Sequence, residues 1–312
     1  MPTNFLNLQI EMLNFHLANI QTIAANWLVY QDVFLDILRL DKIHPVVSGN
    51  KWFKLKYYLE EAKNNNQDLI TFGGAWSNHI VATAYCCQQA GIKCIGIIRG
   101  EKPKKLSQTI ISVMEYGMDL RFVGREEYGI LKHEQRIVNN EYREIRNGPY
   151  FIPEGGYGGL GVKGAADIGK IYDLHSYTHI IAGVGTGTML AGLILSAMPY
   201  QKIIGISSMK GNNNLVEEIQ QLLHFNTSLP NFEIIHDYHF GGFGKYPKQL
   251  IDFMNETFIE HELPLDIVYT GKTFFAIKDL IERKYFPKGS KILMIHSGGL
   301  QGNKSVEERL MF

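Results

Sequence analysis

The sequence is poor in cysteine. Its three cysteines are Cys86, Cys87 and Cys94, two of them adjacent. An odd count without paired spacing excludes a disulfide framework and a thiolate metal site, and is the usage of free thiols packed in a core in a reducing compartment. No metal is expected, and a cytoplasmic location is. An excess of charge is also missing. Lys plus Arg and Asp plus Glu each number 31, so no net field favours nucleic acid or an anionic membrane. The N-terminus has no basic n-region of a signal peptide, and Glu11 interrupts its early apolar pattern. Residues 176–201 carry no Asp, Glu, Lys or Arg. Gly183, Gly185 and Gly187, with Thr186 and Thr188, break that stretch in the middle, so it reads as strand, glycine turn and helix rather than a membrane span. There is no internal repeat and no low-complexity linker, and the 31 glycines follow no period.

What is present is length and alternation. A chain of 312 residues, 45% hydrophobic, can bury a large core and build two lobes. Residues 1–30 show helix-like apolar spacing and no chemistry. From there strands are expected at 33–40, 68–72, 93–98, 120–123, 150–153, 178–182, 203–207 and 292–295, with a poorly defined one near 232–240. Between them helices are expected after Lys51 and at about 77–89, 106–116, 126–147, 164–174, 189–198, 215–225, 247–262 and 273–285. This alternation predicts βαβ units and an α/β fold of two open, twisted, mostly parallel sheets flanked by helices. In such sheets ligands bind beyond the carboxyl ends of strands. Every motif with chemical content lies at such an end.

The first of these is Ser48-Gly49-Asn50-Lys51-Trp52-Phe53-Lys54-Leu55. Leu55, Tyr58, Leu59 and Ala62 continue at helical spacing, so Lys51 and Lys54 fall one turn apart at a helix start. That end of a helix is already positive and ordinarily attracts acids. Taken alone, the pair is two solvated lysines with buried stems. Two lysines there are accommodated if an anionic, electrophilic ligand meets them, as a phosphorylated aldehyde would. A lysine forms a Schiff base only as the free amine, and a helix start plus a second cation both favour that form.

Gly73-Gly74-Ala75-Trp76-Ser77-Asn78-His79 joins a strand to a helix. Ser77 is a natural N-cap, and the same geometry offers free N–H groups to a substrate carboxylate. Gly183-Val184-Gly185-Thr186-Gly187-Thr188 opens the next such helix, and its backbone and hydroxyls suit one phosphate. A dinucleotide fits less well. The third fingerprint position is Thr188, and no acid between Gly183 and Val216 could hold a ribose. Tyr269, in Asp266-Ile267-Val268-Tyr269-Thr270-Gly271-Lys272, is either an acid/base or a packed aromatic. Ser297, in His296-Ser297-Gly298-Gly299, is otherwise an ordinary turn serine.

In order and spacing these motifs resemble the 1-aminocyclopropane-1-carboxylate deaminase / D-cysteine desulfhydrase family of fold type II, tryptophan-synthase-β-like enzymes. The resemblance covers roughly residues 33–300. It implies pyridoxal 5'-phosphate as cofactor, carried by Lys51. Lys54 and the Gly185, Thr186, Gly187 and Thr188 loop would hold its phosphate, and Asn78 its phenolic oxygen. Ser77 and Tyr269 would face the substrate. It also implies a larger cofactor-binding lobe of residues 1–60 and 160–312, a smaller lobe of 61–159 with the site in the cleft between, and a homodimer.

Two positions depart from the ring-opening deaminases, which resemble one another in having Glu at Thr270 and Leu at Ser297. Small hydroxylic residues there are similar to the desulfhydrases. Ser297 also resembles the residue that bonds the pyridine nitrogen in other fold type II enzymes, and Thr270 is grouped with it as cofactor-binding. A hydroxyl leaves that nitrogen neutral and the ring a weaker electron sink, enough for expelling a β-leaving group from an ordinary α-carbanion. The expected activity is therefore a D-cysteine desulfhydrase-like elimination on a small amino acid. Alternatives are opening of aminocyclopropane-carboxylate to 2-oxobutyrate, and a cofactor-binding protein with little catalysis.

Overall fold

The computed structural model describes residues 13–141, 148–224 and 231–312, the side chains of 134–141 excepted. Expectations for residues 1–12, and for helix ends beyond 141 and 224, lie outside the described residues. In chain order the elements are β1 (Ile20–Thr22), α1 (Asn26–Gln31), β2 (Phe34–Leu38), α2 (Asn50–Asn64), β3 (Leu69–Gly74) and α3 (Asn78–Ala90). Then come β4 (Cys94–Arg99), α4 (Gln108–Glu115), β5 (Asp119–Val123), α5 (Arg125–Glu141) and β6 (Tyr150–Ile152). After them run α6 (Gly159–Ala166), α7 (Ile168–Ile171), β7 (His179–Val184), α8 (Thr188–Ser196), β8 (Lys202–Ser207) and α9 (Leu215–Leu222). The last are β9 (Phe232–Ile235), α10 (Lys248–His261), α11 (Thr270–Glu282) and β10 (Lys291–Ile295).

Six strands form one sheet in the order β1-β2-β10-β7-β8-β9, in which only β1 is antiparallel to its neighbour. Four strands form a second, wholly parallel sheet, β5-β4-β3-β6. The central strands are apolar without a break because both of their faces are covered. Ile180, Ala182, Leu293 and Ile295 face one core. Ile181, Ile204, Ile292 and Met294 face another. The first core runs on through Phe53, Leu55 and Leu59 of α2 and Ile80 and Ala84 of α3 to Ile98 of the smaller sheet. Each fully buried leucine or isoleucine there contributes about 1.5–3 kcal/mol. This shared layer is what fixes α2, with its two lysines, between the sheets.

The differences from the sequence expectations are local. Residues 20–31 hold a strand and a short helix rather than helix-like spacing alone. β1 is three residues long, too short to show alternation, and its strand character comes from pairing with β2. The helix expected to Leu174 is interrupted at Asp167, whose carboxylate is drawn to Lys56, Tyr57 and Lys170. α11 begins at Thr270 rather than 273. The Asp266 carboxylate accepts from the N–H groups of Val268, Tyr269 and Thr270 at 2.7–3.0 Å and closes the helix start from outside it. The strand expected to 240 stops at Ile235, and residues 236–247 make a glycine-bearing strap. No described helix is long and apolar enough to cross a membrane.

Candidate active site

Gly49 sets the entry to α2. It stands at φ +63°, ψ −135°, and the place of a Cβ on it is 1.9 Å from the carbonyl oxygen of Ser297. Only glycine allows this contact. The Asn50 N–H then donates to that carbonyl at 3.2 Å, so the first turn of α2 is joined to the Ser297-Gly298-Gly299 loop after β10. Asn78 donates from Nδ2 to the Gly299 carbonyl at 3.4 Å, bringing the start of α3 to the same loop.

Lys51 Nζ donates to Asn50 Oδ1 at 2.7 Å. Burial lowers its pKa from 10.5 to about 8, opposed in part by the Asp266 carboxylate. Lys54 is 6% exposed, and burial, then the charge of Lys51, hold it well below the ordinary lysine range. Its Nζ lies 3.8 Å from where a Cβ on Gly155 would stand, and the methyl of Thr186 lies 3.0 Å from that same point. Lys54 Nζ makes no hydrogen bond or ion pair among the described residues. Thr186 and Thr188 share a hydroxyl–hydroxyl bond of 3.1 Å, and Gly187 is the N-cap of α8. Lys54, Gly155, Thr186, Gly187 and Thr188 thus make a cradle whose amine donor lacks an acceptor among the described residues. That fits a phosphate.

Tyr269 packs across this loop, its hydroxyl 2.7 Å from the Cβ place on Gly185. Burial, then Asp266 and Glu154, raise its pKa, so the phenol keeps its proton. Ser77 caps α3, its Oγ accepting from Ile80 N at 3.4 Å. Ser297 is 5% exposed, and its hydroxyl makes no hydrogen bond among the described residues. Thr270 differs. Its hydroxyl donates to Asp266 Oδ1 at 2.8 Å and accepts from Asp266 N at 2.6 Å, within a pocket that leaves the residue 1% exposed. The hydroxyl grouped with Ser297 at the sequence level is therefore spent on Asp266.

Sequence reasoning missed three contributors. Asp266 was visible only as a motif letter. Lys272, fully buried, donates to the carbonyls of His239 and Gly242 at 2.9 and 2.8 Å and ties the 236–247 strap to α11. Phe243 on that strap meets the ring of Tyr269 edge-on, centroids 6.1 Å apart. Gly241, Gly242 and Gly244, all at positive φ, were the available signal for the strap. Of the two histidines near the motifs, His296 has both ring nitrogens engaged by the protein: Nε2 donates to Pro264 O at 2.8 Å, and Nδ1 lies 3.3 Å from Gly298 N and 3.2 Å from Asp41. His79 bonds Thr71, its Nε2 2.8 Å from the hydroxyl.

An amine near its titration point, a cradle for one anion, an uncommitted serine and a protonated phenol suit a phosphorylated aldehyde and an amino acid. The comparisons with known proteins agree. The family model described as "Pyridoxal-phosphate dependent enzyme" matches residues 37–298. A Pyrococcus abyssi protein, provisionally named 1-aminocyclopropane-1-carboxylate deaminase, is 30% identical over 82% of this chain and 81% of its own. The 1-aminocyclopropane-1-carboxylate deaminase of Bradyrhizobium sp. (strain BTAi1) is 26% identical over 81% of this chain and 82% of its own. A crystal structure of an ACC deaminase homologue superposes with a TM-score of 0.75 at 26% identity, covering 99% of this chain and all of that one.

Proposed function

This chain belongs to the pyridoxal-phosphate dependent enzymes, with the 1-aminocyclopropane-1-carboxylate deaminases among its relatives, and from that premise we propose that it is a lyase that releases ammonia from a small amino acid by α,β-elimination, as a D-cysteine desulfhydrase does. The observation that carries the reading is the pairing of Lys51, with its pKa near 8, with Lys54 at the Gly155–Thr186 cradle on one face of α2.

When bound, pyridoxal phosphate supplies an electrophilic aldehyde and an electron sink for charge that develops at the substrate's α-carbon. The chain's own residues do the rest. Lys51 Nζ carries the aldehyde and, as a free amine, takes the α-proton. Lys54 and the Thr186–Thr188 loop hold the phosphate. Ser77 Oγ and the first N–H groups of α3 orient the carboxylate. Tyr269, a protonated phenol, donates a hydrogen bond to the departing thiolate sulfur and eases its charge as the bond to carbon breaks. The carbon skeleton leaves as 2-aminoacrylate, which hydrolyses to pyruvate and ammonia. Ser297, whose hydroxyl is uncommitted, is the partner for the pyridine nitrogen. In this reading residues 1–60 and 160–312 form the cofactor lobe, 61–159 the smaller lobe, and the cleft between them takes the substrate.

A second reading, opening of the cyclopropane to 2-oxobutyrate and ammonia, is favoured by the names of the relatives. One experiment separates the two. The absorbance spectrum is recorded with pyridoxal phosphate, then D-cysteine, L-cysteine and aminocyclopropane-carboxylate are added in turn and 2-oxo acid is assayed. A visible band with pyruvate from D-cysteine supports the elimination, and 2-oxobutyrate from the cyclopropane replaces it with the second reading. No visible band in the parent protein, or a band retained by Lys51→Ala, removes both.

A further inference from the structure

The site contains a buried polar atom that the proposed chemistry does not use. His79, 3% exposed on the first turn of α3, has Nε2 2.8 Å from Thr71 Oγ1. That hydroxyl donates its own proton to the Ile152 carbonyl at 3.0 Å. Thr71 can therefore only accept from the ring, so Nε2 carries the hydrogen and Nδ1 is a bare lone pair. Nδ1 is buried and has no hydrogen-bond partner among the described residues. A buried acceptor left unpaired is costly enough to need an explanation.

Burial first, then the charges of Lys54 and Lys51, keep this ring neutral. Lys51 already has an acceptor in Asn50 Oδ1. Lys54 has none among the described residues. An acceptor without a donor and a donor without an acceptor therefore meet the same end of β6: His79 through Thr71 at the Ile152 carbonyl, and Lys54 at Gly155, three residues further on.

We propose that His79 is a positioning residue of the anion site: its Nδ1 accepts one N–H of the Lys54 ammonium, which turns the remaining two toward the bound phosphate. The chemistry favours a neutral imidazole for this task. An ammonium has three donors, and orienting it takes a fixed acceptor. A carboxylate would orient it too, but would cancel its charge and repel the phosphate. Imidazole held in one tautomer by Thr71 orients without cancelling. The inference rests on the reading of Lys54 as the phosphate ligand, and inorganic phosphate tests it independently of pyridoxal phosphate.

The protein freed of cofactor is titrated with inorganic phosphate by calorimetry, and the His79 ring nitrogens are followed by 15N NMR. The expected result is an Nε2–H tautomer whose Nδ1 resonance moves in the accepting direction as phosphate binds. His79→Leu is expected to weaken phosphate binding about tenfold. Thr71→Val, which keeps the ring and releases its tautomer, weakens it in the same sense by a smaller factor. A role in packing alone predicts lost stability with unchanged phosphate affinity in both variants, and that result, or an Nδ1 resonance indifferent to phosphate, overturns the proposal. If His79→Leu does not fold, the NMR result on the parent protein decides. A parent that binds phosphate yet gives no visible band with pyridoxal phosphate refutes the cofactor reading, while the Nδ1 shift still judges this one.

Discussion

Gly49 and Ser297 touch through their backbones. A Cβ on Gly49 would stand 1.9 Å from the Ser297 carbonyl oxygen, and Gly49 already holds a φ of +63° that side chains avoid. Gly49→Ala therefore must displace either the first turn of α2 or the loop after β10. Backbone strain of this kind costs on the order of 1–3 kcal/mol before the clash is added. The variant is expected to melt earlier by that margin and to lose the visible band formed with pyridoxal phosphate, since Lys51 and Ser297 separate. An unchanged melt and an unchanged band would show that the contact is not required.

Lys51 titrates near 8 because burial penalises its ammonium more than Asp266 relieves it. In the unfolded chain the same group titrates near 10.5. Between these values the unfolded state binds more protons, so stability rises with pH across that window, and the penalty is present in full below 8. Lys51→Met removes the penalty. Each pKa unit corresponds to about 1.4 kcal/mol, and allowing for partial solvent screening the variant is expected to gain about 1–2 kcal/mol at pH 7. The gain should vanish above the unfolded pKa. Denaturant titrations at both ends of the window check this, and an equal difference at both ends would contradict the assigned titration. In the parent, capture of the cofactor aldehyde should quicken as pH rises through 8.

The Lys51–Lys54 pair was legible in the sequence because helical spacing and the apolar positions Leu55 and Leu59 fix which face of α2 is which. The glycine–threonine loop and the two sheets were legible for the same kind of reason: period and turn chemistry are local. Asp266 was not, since its carboxylate acts on N–H groups up to four residues ahead through a bend that only the packed chain holds. Nor was the difference between Thr270 and Ser297. Both are small hydroxylic residues in a motif, and only the folded chain sets one against Asp266. β1 escaped because three residues paired with a strand fourteen to eighteen positions away leave no period to read.

Lys272 is a buried cation bonded to two carbonyls, His239 O and Gly242 O, with its pKa lowered to about 8 by burial. Those bonds hold the strap that carries Phe243 against Tyr269. Lys272→Met leaves both carbonyls without this donor. Each unsatisfied buried group costs about 1–3 kcal/mol, partly offset by removing a buried charge. The expected outcome is faster amide exchange at residues 238–244 and a raised KM, with the visible band intact because Lys51 and the phosphate cradle are untouched. Unaltered exchange in the strap would remove Lys272 from this role.

Thr270 and Ser297 should separate cleanly under mutation. Thr270→Val takes an acceptor from Asp266 N and a donor from Asp266 Oδ1, both buried. It is expected to cost about 1–3 kcal/mol of stability while the visible band still forms at saturating cofactor. Ser297→Ala breaks no hydrogen bond among the described residues, so its stability should change by less than about 0.5 kcal/mol. Its effect should instead be on the loaded site: weaker pyridoxal phosphate binding and a lower kcat at unchanged fold. The converse pattern, a stable Thr270→Val with an altered band and an inert Ser297→Ala, would assign the pyridine nitrogen to Thr270. The same geometry bears on the cyclopropane reaction. A Glu at position 270 would stand beside the Asp266 carboxylate, and two buried like charges repel. Thr270→Glu with Ser297→Leu is therefore expected to destabilise the fold before it confers ring opening, and 2-oxobutyrate production by a fully folded double variant would show that Asp266 can yield its place.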